Sequence, residues 1–156
     1  MASPTNPTFP AGNPRDDSRR RCDIIEESYE FMLAYAAQGV SGEAGQQSGG
    51  QAREFLNRAA AALAGLGDVF SAVFTQERLA QHERYGAFLD VLDRDARDAL
   101  AAFELVLAQP AISSQLVDNL NASIHVRALL TDLFLIDEVL KAQLRAANVS
   151  NVQTTE

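Results

Sequence analysis

Ala128-Leu129-Leu130-Thr131-Asp132-Leu133-Phe134-Leu135-Ile136 is the most apolar run of the chain. It lies inside residues 111–147, which contain no glycine and no proline. A helix on a protein surface keeps its apolar residues to one stripe. Here Leu129, Leu130, Leu133, Phe134, Leu135 and Ile136 cover most of the circumference. A helix of that kind is either surrounded by other helices or used to hold a second chain.

The stretches upstream supply the neighbours. Ile25, Ser28, Tyr29, Met32, Tyr35 and Ala36 recur at spacings of three and four, one face of a helix over 18–38. Asp16, Asp17 and Ser18 offer N-cap chemistry at its start, and Gly39 offers a left-handed stop. Leu56, Ala59, Leu63, Leu66, Phe70 and Val73 form a second seam with coiled-coil spacing. Gly65 and Gly67 interrupt it, but the seam stays in phase across them, which predicts an unbroken or mildly bent helix over 51–80. The competing reading is a break with Asp68 as a new N-cap. A third seam runs through Tyr85, Phe88, Leu92, Ala96, Ala99, Phe103 and Val106. Compactness favours a turn near 79–86 over one very long helix from 51 to 108. Pro110 ends the third helix, since the residue before a proline leaves the helical region. Ser113 or Ser114 can cap the fourth.

The expected fold is therefore all-α: an antiparallel bundle of about four helices at 18–38, 51–80, 84–108 and 111–147. Residues 1–17, with Pro4, Pro7, Pro10 and Pro14, read as a disordered tail. Residues 40–50, rich in glycine and serine, read as a flexible linker within the single domain 18–147, and 148–156 as a frayed end.

Composition narrows the partners. The net charge is −8, which repels phosphate backbones, so no nucleic acid is expected. The local exception, Arg19-Arg20-Arg21, reads more simply as solubilising or partner-pairing charge. Lys141 is the only lysine, and alanine is abundant, as in chains encoded by GC-rich bacterial genomes. The single cysteine, Cys22, cannot form an internal disulfide and suits a reducing compartment. No run reaches the ~18 apolar residues of a membrane span. A cytoplasmic protein without a membrane partner is expected.

Reactive constellations are sparse. A ferritin-like dimetal site needs Glu-x-x-His on two helices, whereas Leu79 precedes His82 and Ala122 precedes His125. The remaining metal or cofactor candidates are His125, Asp132, Glu77 and His82. Asp132, seven residues from His125 on the same helical face, needs a partner or a raised pKa if buried. An inter-helix salt bridge to an arginine is the simpler expectation. Glu77 on the second seam reads more readily as a determinant of helix pairing than as a ligand. The acidic run Glu26-Glu27 with Glu30 reads as a solvated face. Three arginines beside Cys22 would favour its thiolate; a free structural or redox-labile thiol is the plainer role.

No catalytic residue and no cofactor are assigned. The leading expectation is a non-catalytic accessory protein, an acidic homo-oligomeric bundle that binds a protein partner. Its interface would use Leu129, Leu133, Leu135, Ile136 and Leu140. The alternatives are a bundle holding a metal or cofactor with inward histidine and carboxylate groups, and a chaperone-like bundle that receives a partner's helix in a groove.

Overall fold

A computed structural model describes residues 12–41, 46–80 and 82–153. Among these residues every regular element is helical: α1 (Pro14–Ala37), α2 (Gln46–Leu63), α3 (Leu66–Gln76), α4 (Glu83–Leu107), α5 (Ser114–Ala122) and α6 (Ile124–Gln153). The all-α class is as expected, with six helices in place of about four. Two of the expected rods are each broken once.

The first break separates α2 from α3, at a bend of 45°. Gly65 sits there with φ +73°, a left-handed conformation that costs glycine little. An in-phase seam had argued for continuity. It survives the bend because Leu56, Ala59, Leu63, Leu66, Phe70 and Val73 are all buried on the same core. Arg21 secures the corner: its guanidinium donates to the carbonyls of Ala62 (3.2 Å) and Ala64 (2.7 Å), groups that a helix end leaves unpaired. Gly67 has a different role. A Cβ there would lie 2.6 Å from Cβ of Asp93, so α3 and α4 approach too closely for any side chain. Gly67→Ala is expected to lower stability by about 1–3 kcal/mol through overpacking, despite alanine's better helix propensity. A urea midpoint equal to or above that of the parent would refute this.

The second break is Ser123, the C-cap of α5, after which α6 starts at once. The turn expected near 79–86 is present, shifted to the residues between Gln76 and Glu83. Arg78 closes α3 with φ 61°, and Leu79 N–H donates back to Phe74 O at 2.8 Å. That is a Schellman-type stop using arginine where glycine is usual.

Other boundaries also move. Pro14 starts α1 as its first residue and Asn13 caps it, accepting from Arg15 N–H at 3.0 Å. Proline fits there because the first helical N–H needs no partner. Asp16 and Asp17 fall in the first turn, where the helix dipole favours them. Residues 46–50, expected in the linker, are the first turn of α2, and α6 continues through 148–153, expected to be frayed. The rest of both expected tails and of the linker core (1–11, 42–45 and 154–156) lies outside the described residues.

Side-chain ties give the directions of the rods. Ser28 reaches Phe55 O at 3.3 Å and Arg21 reaches Ala64, so α1 and α2 run antiparallel. Arg53 donates to Leu107 O and Gln109 O, both at 2.7 Å, while Phe74 meets the ring of Tyr85 edge-on. Rod α2–α3 therefore runs antiparallel to α4, and Arg53 caps the carbonyls exposed before Pro110. Gln143 Nε2 donates to Tyr85 Oη at 3.1 Å, which places the second half of α6 against the start of α4. Short α5 crosses one end, packed on α1. Met32, Tyr35, Leu56, Val73, Phe74, Leu92, Ala99 and Leu129 are among the side chains sealed in the common core.

Candidate interaction surface on the last helix

Alternation between buried and exposed positions along α6 follows from its mixed duty. Leu129, Leu133, Ile136 and Leu140 are buried in the chain's own core. Four of the five residues expected at a subunit contact thus spend their apolar surface within the subunit. Leu135 is the fifth, and it is 53% exposed beside Phe134 at 60%. Further along, Leu144 and Val149 are also exposed. The excess of apolar residues in 128–136 therefore divides, with one part closing the bundle and the other facing outward.

Hollows flank this helix on both sides. Between α1 and α6 runs a groove of about 310 Å³. Phe70, Leu133, Ile136 and Leu140 line it, with Phe134 and Leu144 on the α6 side. Arg15, Arg19, Asp23, Glu26, Asp137 and Lys141 supply its charged rim. On the other side, Phe74, Tyr85, Phe88, Leu135, Ile136 and Val139 enclose a hollow of about 230 Å³.

Cys22 opens into the α1–α6 groove, and its electrostatics reverse the sequence expectation. Arg21 turns away to Asp17 (2.9 Å) and to the α2 carbonyls. Burial pushes the Cys22 thiol up to about 12, and Glu26, Asp23 and Asp137 add to the rise. It is a protonated thiol at neutral pH. The same neighbourhood raises Glu26, chiefly by burial and then through Asp23, Asp137 and Glu30.

The candidate ligands do not converge. Glu77 pairs with Arg15 at 2.8 Å and ties the end of α3 to the start of α1. His82 is exposed just before α4, with its ring 4.6 Å from that of Tyr85. His125 is exposed in the first turn of α6, next to the buried Val126, and does not join Asp132 in the core. Among the described residues no three His, Cys, Asp or Glu side chains stand together as metal ligands.

Asp132 is buried, at 7% exposure, and among the described residues no arginine pairs with it. It faces Asp95 of α4, and no protein donor reaches its Oδ2. Burial, a hydrogen bond to Asp95 and the charge of that carboxylate raise it to about 7. In place of the expected salt bridge, Asp132 stands against a second carboxylate, Asp95. Its signal in the sequence, an aspartate in an apolar run, was visible; the partner was not, because Asp95 looks like one more polar residue of the helix face outside the α4 seam.

Asn121, on α5, is a second buried polar group, among the described residues, without a hydrogen-bond partner for its side-chain amide. Nothing in the sequence marked it.

These features define an all-α bundle whose last helix carries exposed apolar residues beside an open groove. Comparisons with protein-family models, with curated proteins and with solved structures returned no match. No single helix among the described residues is long and apolar enough to cross a membrane.

Proposed function

We propose that this protein is a non-catalytic interaction protein that self-associates through the outward face of α6 and serves a protein partner in that assembled form. One observation carries the reading: Phe134 and Leu135 lie in solvent within the most apolar run of the chain, although the inward positions of α6 already complete the core. Adjacent exposed apolar side chains that border two hollows form a patch, and patches of that kind mark contact surfaces more often than scattered single residues do. The placement of His82, His125 and Glu77 on the surface or in a salt bridge gives a metal-holding function no comparable support.

Light scattering on the eluting protein at tens of micromolar tests the reading. The expected mass is twice the chain mass of 16.9 kDa, or a higher multiple. Phe134→Asp is expected to return it to the single-chain value with an unchanged helical spectrum, since the residue is not part of the core. A parent protein that elutes as a monomer would overturn self-association. It would favour the second reading, in which the α1–α6 groove receives a helix of another protein in the helix-in-groove manner.

A further inference from the structure

We infer that α6 pairs antiparallel with α6 of a second copy, about a twofold axis that passes between Lys141 and Ala142. This rests on the self-association reading above and specifies its geometry.

Phe134, Glu138, Arg145 and Val149 are all exposed. At 100° per residue they fall within an arc of ~60° on one side of the helix. They are also placed symmetrically. Phe134 and Val149 lie equally far from the point between Lys141 and Ala142, and so do Glu138 and Arg145. A twofold rotation about that point therefore sets Phe134 on Val149 of the second copy, and Glu138 on its Arg145. A rise of ~1.5 Å per residue puts the two apolar contacts ~22 Å apart, with the charge pairs between them.

Charge order favours this partner and this direction. Asp137 and Glu138 come first along the helix, Lys141 and Arg145 second. An antiparallel second copy sets acids opposite bases twice, and one patch then satisfies itself in a closed dimer. A parallel copy would set Glu138 on Glu138 and Arg145 on Arg145. Lys141 lies nearest the axis, where it would meet its own copy. Its ammonium is already paired with Asp137 at 2.8 Å, which offsets that repulsion.

Charge reversal tests the geometry directly. Glu138→Arg and Arg145→Glu are each made alone and together in the full chain, and self-association is followed by sedimentation equilibrium at low salt. Each single variant is expected to weaken the dimer by at least about tenfold, since like charges then face each other twice. The double variant is expected to recover association to within about threefold of the parent, because both pairs are restored with their signs exchanged. A dimer that is insensitive to both single changes overturns the antiparallel pairing and leaves self-association standing. Weakening that the double change fails to reverse overturns it equally. A parent that stays monomeric at tens of micromolar overturns both. Because both side chains are exposed, an unchanged thermal midpoint of the helical signal in dilute solution certifies the fold of each variant.

Discussion

Asp132→Asn is expected to raise stability at pH 8 while leaving it nearly unchanged at pH 5. In the parent, Asp132 is buried against Asp95, and its proton is held up to about 7 against an ordinary carboxylate value of 3.8. A group whose pKa is raised by folding binds its proton more tightly in the native state. Its contribution is complete below the unfolded value and is lost as pH rises through the folded one. Native Asp132 is thus largely protonated at pH 5, and at pH 8 it is ionised in its buried place beside Asp95. The loss between those conditions is on the order of 2–4 kcal/mol, at about 1.4 kcal/mol per pKa unit. Asparagine keeps the shape and carries a permanent N–H donor toward Asp95, so it removes the dependence. Urea unfolding at the two pH values measures this as the difference between parent and variant, which cancels the titration of surface groups common to both. Equal slopes for the two proteins would show that folding does not raise the proton affinity of Asp132.

That pair also shows where sequence reading stops. Asp132 was legible as an anomaly, because a charge in an apolar run must find a partner or lose its charge. Which of the two happens depends on the residue opposite, and that is set by the register of α4 against α6. Register is a property of two helices packed together and cannot be read from one. The seams themselves were legible because each is local: Leu92, Ala96, Ala99, Phe103 and Val106 are buried as their spacing required. The two breaks were not. At Gly65 the glycine was seen, but the persistent phase of the seam outweighed it; at Ser123 no glycine or proline marked the change. The surface shows the same division. Crowding of apolar residues in 128–136 indicated that α6 faces in more than one direction. It could not tell which residues the subunit itself would cover. The structure assigns Leu129, Leu133, Ile136 and Leu140 to the core and leaves Phe134 and Leu135 outside.

Two adjacent serines before α5 are expected to differ sharply when each is changed to alanine, although the sequence offered them as interchangeable caps. Ser113 is the N-cap: its side chain accepts from Leu116 N–H at 3.1 Å, a partly buried bond whose loss costs about 1 kcal/mol. Ser114 is buried and joins two helices. Its hydroxyl donates to Tyr35 O at 2.6 Å and accepts from Val40 N–H at 2.8 Å, while its own N–H donates to Val40 O at 2.9 Å. The phenol of Tyr35 completes the clasp by donating to the carbonyl of Ile112. Ser114→Ala leaves the Val40 N–H without a partner where α1 ends and α5 begins, while Tyr35 O keeps only the N–H of Gln38 at 3.2 Å. That orphan costs about 1–3 kcal/mol and the lost bond to Tyr35 O about 0.5–1.5 kcal/mol, so a loss of roughly 2–4 kcal/mol is expected from the removal of a single oxygen. Chemical unfolding of both variants at one pH gives the comparison. A Ser114→Ala loss no larger than that of Ser113→Ala would mean that water replaces the hydroxyl and the clasp contributes little. The larger loss would make this junction, whose two halves lie 74–79 positions apart in the chain, the tie that fixes where α1 stops.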